Sequence, residues 1–153
     1  MQKKINIQNK KARFEFEILD KYVAGIQLTG TEIKSIRLSQ ARITESFCEF
    51  NDRGELFIVN MYIQEYMFGH HFNHKPKSER RLLMNKRELR SLKKDVEAKG
   101  NTIVPLRLFI NDRGFAKLEI ALAKGKQTHD KRNVIKDRDN KRDLARIKKS
   151  FNA

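Results

Sequence analysis

Apolar and polar residues alternate at two periods along this chain, and the alternation divides it into elements. Phe14-Glu15-Phe16-Glu17-Ile18 alternates strictly, which predicts a half-buried strand. Tyr22 to Leu28 predicts a second strand, and Gly25 inside it marks a bend or a close backbone approach. Thr31 is placed as the N-cap of a short helix, with Glu32 in its first turn and Ile33 and Ile36 on one face. That helix is expected to plug one end of the sheet. Ser46–Phe50 and Glu55–Ile63 flank Asn51-Asp52-Arg53-Gly54, a hairpin turn signal. The same tetrapeptide returns as Asn111-Asp112-Arg113-Gly114, between Ile103–Ile110 and Phe115–Ala123. Pro105 has no N–H for a ladder, so it marks an edge or a bulge. The best-punctuated element is a helix from Lys86 to Lys99, with Asn85 as N-cap, Glu88 completing a capping box, and Met84 with Leu89 as a hydrophobic staple. Leu89, Leu92 and Val96 form its apolar stripe, and Gly100 ends it.

Six or so short strands with one or two helices predict a mainly β fold: a small, closed, antiparallel barrel of the oligonucleotide-binding (OB) type over residues 1–125. Residues 126–153 carry few apolar groups (Val134, Ile135, Leu144, Ala145, Ile147, Phe151), too few to offset the entropy of ordering the chain. This segment reads as a basic C-terminal tail, disordered alone and helical once an anionic surface neutralises it.

Charge sharpens the picture. The 153 residues hold 34 Lys plus Arg against 19 Asp plus Glu, a formal net charge of +15. Such an excess calls for an anionic partner. It falls in three clusters: five cations in residues 3–13, nine against two acids in 75–94, and eleven against four in 124–153. Phe14, Phe16, His70, His71 and Phe72 are interleaved with them. Cations hold phosphates and flat rings stack on unpaired bases, so the combination favours structured RNA over duplex DNA. Cys48 is the single cysteine, which excludes a disulfide framework and fits a reducing cytoplasm. The N-terminal residues lack the apolar stretch of a signal peptide, and no run is long enough for a membrane span.

Two constellations point elsewhere. His70, His71 and His74 have a metal-like spacing, but Gly69 and Pro76 bracket them, so a mobile, RNA-facing loop is expected and no metal. His129-Asp130-Lys131 is the single group with acid–base character, and it stands at the root of the tail, without the rigid support catalysis needs. No nucleophile motif, phosphate loop or paired carboxylates accompany it. An enzyme is not expected, nor a cofactor.

Several ordered motifs carry a family resemblance: Asn9-Lys10-Lys11-Ala12-Arg13, then Ala24-Gly25-Ile26, Gly30-Thr31-Glu32-Ile33-Lys34-Ser35-Ile36-Arg37, Arg81-Leu82-Leu83-Met84-Asn85-Lys86-Arg87-Glu88-Leu89, Val104-Pro105-Leu106, and Leu122-Ala123-Lys124-Gly125-Lys126-Gln127 with His129-Asp130-Lys131-Arg132. From about Ile7 onward the chain resembles the small protein B (SmpB) family, which binds transfer-messenger RNA in bacterial ribosome rescue. The resemblance implies a monomeric adaptor whose barrel cradles the tRNA-like domain of that RNA. With elongation factor Tu it would enter a stalled ribosome, where the tail would lie as a helix in the empty messenger channel of the small subunit. It also implies an RNA-binding set comprising Asn9, Lys10, Lys11, Arg13, Phe14, Lys34, Arg37, Arg81, Leu83, Lys124, Gly125 and Lys126. Within it Asn9 is expected to make a polar RNA contact, with little bearing on stability, whereas Leu83 taken alone reads as core. Lys124, Gly125 and Lys126 also match, with His129, Asp130, Lys131 and Arg132, the tail-root motif near the decoding centre, and Ile147 matches a tail-helix position that acts after RNA binding. Many family members carry His at the place of Phe14 and an acid at that of Val23. The alternatives are a structural protein bound permanently to ribosomal RNA and, third, an RNA-processing enzyme.

Overall fold

The computed structural model describes residues 4–98 and 100–125. The predicted tail, with Lys126, His129, Asp130, Lys131, Arg132 and Ile147, lies outside the described residues. Nine strands and three α-helices follow in the order β1 (Asn6–Gln8), α1 (Lys10–Glu15), β2 (Phe16–Ile26), α2 (Gly30–Arg37), β3 (Ala41–Arg42), β4 (Phe47–Phe50), β5 (Leu56–Val59), β6 (Tyr62–Ile63), β7 (Arg80–Leu83), α3 (Lys86–Val96), β8 (Asn101–Ile110) and β9 (Ala116–Gly125), with a single 3-10 turn at His70–Phe72 before β7.

Sheet order β8-β4-β5-β7-β2-β9 returns to β8 through the β8–β9 pairing, so six strands form a closed ring, and β1 adds to the side of β8. Every recorded pairing is antiparallel. The predicted mainly β, closed antiparallel barrel is therefore the observed one. Ring closure leaves its strands without free edges.

The repeated tetrapeptide forms the same turn twice for the same chemical reason. The Asn51 side chain accepts from the N–H groups of Arg53 and Glu55 at 3.0 and 2.9 Å, and Asn111 accepts from Arg113 and Phe115 at 3.1 and 2.9 Å. The fourth residue takes a left-handed conformation, φ +78° at Gly54 and +85° at Gly114, which glycine adopts without a Cβ penalty. Pro105 falls at a register shift between β8 and β9, the bulge its missing N–H requires.

Three local expectations need correction. Phe14 and Glu15 end a helix instead of opening a strand, because Asn9 caps α1 by accepting from the Ala12 N–H. The second helix is capped by Thr29, not Thr31: the Thr29 hydroxyl accepts from the Glu32 N–H while the Glu32 carboxylate accepts from the Thr29 N–H, a full capping box. The third helix stops at Val96, ahead of Gly100 at φ +85°.

The barrel interior holds Ile26, Leu56, Ile58, Ile63, Leu82, Ile103, Leu108, Leu118 and Ile120, joined by Ile36 from α2 and Leu92 from α3. Among the described residues, one cation sits within this apolar interior. Arg80, 3% exposed, opens β7 pointing inward; its Nε donates to the Glu32 carboxylate, Nη1 to the carbonyl of Met61, and Nη2 to those of Lys75 and Pro76. The links to Glu32 and Met61 join segments distant in sequence, and those to Lys75 and Pro76 close the loop just before β7. Removing one member leaves an unanswered buried charge, so Arg80→Met is expected to lower unfolding stability by about 3–5 kcal/mol in a urea titration. A loss below about 1 kcal/mol would show that the interior tolerates the bare carboxylate.

Candidate nucleic-acid interface

A second, smaller core lies under α1 and determines what that helix displays. Ala12, 3% exposed, packs with Val104, Leu106, Ala121 and Ala123, flanked by Phe16 and Ile18. Small residues at this contact let the short helix lie close on β8 and β9. With Ala12 turned inward, Lys10, Lys11, Arg13 and Phe14 face solvent. Strand register adds the end of β9: Phe16 stands opposite Gly125 and Glu17 opposite Lys124. The structure thus gathers six predicted site residues, Lys10, Lys11, Arg13, Phe14, Lys124 and Gly125, around one end of β2. Lys11 is partly engaged, bonded to Glu45 at 2.7 Å, and that hydrogen bond, with the charges of Glu45 and Glu15, raises its pKa.

Asn9 does not share this surface. It is 2% exposed, and its amide is committed inside the protein: Oδ1 accepts from the Ala12 N–H at 3.1 Å, while Nδ2 donates to the carbonyls of Pro105 at 3.0 Å and Ile43 at 3.3 Å. The expected exposed contact is thereby replaced by a clamp holding α1 to the barrel.

Leu83 departs from the core reading in the opposite direction. The β7 pattern alternates Arg80 in, Arg81 out, Leu82 in, Leu83 out, and Leu83 is 49% exposed. It pairs with Gly25 of β2, which pairs on its other side with Lys117 of β9, itself opposite Phe109 of β8. Gly25 leaves a dip in this row: a Cβ there would meet the Leu83 Cβ at 3.4 Å and the Lys117 Nζ at 3.7 Å. The neighbouring row carries Val23, 51% exposed, opposite Glu119, which pairs with Arg107 at 3.3 Å. The Arg107 guanidinium lies 4.0 Å above the Phe109 ring. Half-exposed apolar groups beside cations are the chemistry that holds bases and phosphates. Lys117, Arg107 and Phe109 were missed at the sequence level, although continuing the alternation of β8 and β9 outward would have found them. Nine residues of β2 separate Phe16 from Gly25, about 30 Å at strand rise, so this face and the α1 cluster are distinct.

Lys34 and Arg37 lie on a third surface. Lys34 stands 5.5 Å over the Tyr66 ring, and Arg37 lines a cleft with Lys4 and Arg113. The histidine loop is more structural than expected. His74 is 9% exposed, with Nε2 at 2.9 Å from the Ile63 carbonyl and Nδ1 at 2.9 Å from the Thr31 hydroxyl. A carbonyl only accepts, so Nε2 carries the proton. Asn73 then clasps Tyr66 by both its backbone N–H and carbonyl. Among the described residues no group of His, Cys, Asp or Glu is arranged to hold a metal. Also among them, no helix is long and apolar enough to cross a membrane.

The sequence matches the family described as SmpB protein over residues 6–150. The chain belongs to the SmpB family. Similar relatives include SsrA-binding proteins of Flavobacterium psychrophilum, 68% identical over 99% of this chain and the whole of that protein, and of Bacteroides thetaiotaomicron, 51% identical over 95% and 97%. A solved SmpB structure, described as "tmRNA-SmpB: a journey to the center of the bacterial ribosome", superposes with a TM-score of 0.68 at 43% identity, covering 94% of this chain and 96% of that one.

Asn9→Ala removes three internal hydrogen bonds, taking the cap from the Ala12 N–H and a donor from the Pro105 carbonyl, while the Ile43 carbonyl keeps both donors of Ser46. Urea unfolding is expected to show a loss of about 2 kcal/mol. An unchanged midpoint would return Asn9 to the role of a surface contact.

Proposed function

We propose that this chain is an RNA-binding adaptor for transfer-messenger RNA in ribosome rescue, and not an enzyme. The observation that carries the reading is the match to an RNA-binding family across nearly the whole chain, joined to a solved relative described in complex terms as tmRNA-SmpB at the bacterial ribosome. The surface chemistry agrees: a net charge of +15 supplies the phosphate attraction, and the exposed Phe14, Val23 and Leu83 supply apolar contacts to bases.

In this reading the barrel meets the tRNA-like domain through the α1 cluster and the Leu83 face. Lys10, Lys11, Arg13 and Lys124 answer phosphates, Phe14 stacks, and Asn9 acts on the RNA indirectly by holding α1 in place. Elongation factor Tu accompanies the complex to a stalled ribosome. Residues 126–153 then read the empty messenger channel of the small subunit, with His129, Asp130, Lys131 and Arg132 beside the decoding centre and Ile147 on the tail helix. A permanent ribosomal-RNA protein would also be small and basic, but no observation favours it over an adaptor.

Two measurements test the two halves. Leu83 is half exposed, so Leu83→Ala is expected to change stability by less than about 1 kcal/mol while weakening transfer-messenger-RNA binding at least about tenfold. Unaltered binding would remove the face from the interface. Replacing Asp130, Lys131 and Arg132 together by Ala removes two cations and one anion, a net change of −1. RNA affinity is expected to stay within about 1 kcal/mol while peptide tagging on stalled ribosomes fails. Normal tagging by this triple variant would rule out the tail-root mechanism.

A further inference from the structure

A groove of about 540 Å³ lies between the β4–β5 turn and α3, on the far side of β7 from Gly25. Five cations line it, Arg53, Arg81, Lys86, Arg90 and Lys93, against one acid, Glu55, an excess of four positive charges. Glu55 is answered within the protein by Arg81 at 3.1 Å and by the Asn51 amide at 2.9 Å. Lys86, Arg90 and Lys93 stand in no ion pair among the described residues. They repeat at the helical spacing that puts all three on one face. From Lys86 to Lys93 the helix axis rises about 10 Å.

The opposite wall comes just as close. Lys93 Nζ lies 3.9 Å from where a Cβ would stand on Gly54, so the turn and the helix face each other across a narrow gap. The floor is apolar, formed in part by Leu83, Met84 and Leu89. Cationic walls over an apolar floor suit a sugar–phosphate backbone whose ribose and base edges lie inward.

We propose that this groove binds the backbone of the transfer-messenger RNA, as a contact additional to α1 and the Leu83 face. The proposal rests on the RNA-binding reading above. Two features select this occupant. The charge complements a polyanion, and Arg81 and Leu83 belong to both the groove and the outer face of β7, so one RNA strand leaving Leu83 runs directly into the groove. The barrel thereby grips the RNA on both sides of β7.

Three paired variants of the full chain provide the test. Arg90→Ala with Lys93→Ala removes two groove cations. Arg87→Ala with Lys94→Ala removes the same charge from the same helix, at exposed positions outside the groove. Binding to purified transfer-messenger RNA and to ribosomal small subunits is measured across a salt series. The groove pair is expected to weaken transfer-messenger-RNA binding at least about tenfold and to flatten the slope of log affinity against log salt by about 1.4–1.8, the contribution of two phosphates. The control pair is expected to change affinity less than about threefold, and Arg90→Lys with Lys93→Arg is expected to restore it. Equal weakening by both pairs would overturn the groove and leave only a diffuse field. Failure of the charge-preserving variant would overturn it too, as would a loss confined to the small-subunit arm. Absence of transfer-messenger-RNA binding by the unaltered chain would instead overturn the functional reading, and the groove with it.

Discussion

A buried guanidinium organises this barrel. Arg80 ties the first turn of α2, the carbonyl before β6 and the loop before β7 into one hydrogen-bonded knot. Desolvating an ion pair is unfavourable in itself, and here the surrounding carbonyls and the Thr29 capping box offset it. The knot also sets parity. In a strand, neighbouring side chains take opposite faces, so fixing Arg80 inward places Leu82 in the core and Arg81 and Leu83 outside. The position of Leu83 on the surface is thus decided three residues earlier, by an interaction that never reaches solvent.

Where a local rule alone governs, the sequence was sufficient. Both Asn-Asp-Arg-Gly turns, the Asn85 cap, the Pro105 bulge and the closed antiparallel barrel were legible because side chain, turn and period agreed. Thr29-x-x-Glu32 was equally readable as a capping box and was passed over for Thr31. Phe16 to Ile18 is strand as its alternation predicts, but Phe14 and Glu15 misled for a physical reason: Asn9 is held by the distant carbonyls of Pro105 and Ile43, and that long-range anchor extends a helix through them. Arg80 was hidden in a run of cations that resembles a solvated surface. Two-residue strands such as β3 and β6 show no period at all, which is why fewer strands were expected than the nine among the described residues.

The candidate site divides in the same way. The basic character of α1 and of α3 is a property of residue type and could be counted. Its arrangement into a cluster at one end of β2, a face around Gly25 and a groove along α3 depends on register, which only the closed ring supplies. Buried Asn9 and half-exposed Leu83 are the sharpest cases, since each lies in an environment opposite to the one its residue type suggests.

The seat of α1 has an implication for the order of events during synthesis. Residues 10–15 leave the ribosome early, yet the side chains beneath them, Val104, Leu106, Ala121 and Ala123, and the Pro105 carbonyl that anchors Asn9, are made roughly a hundred residues later. A six-residue helix does not persist in water without such support. A nascent chain therefore carries the cations of α1 without the platform that aligns them. The first basic element to be translated is among the last to acquire its shape, and an unfinished chain cannot present it.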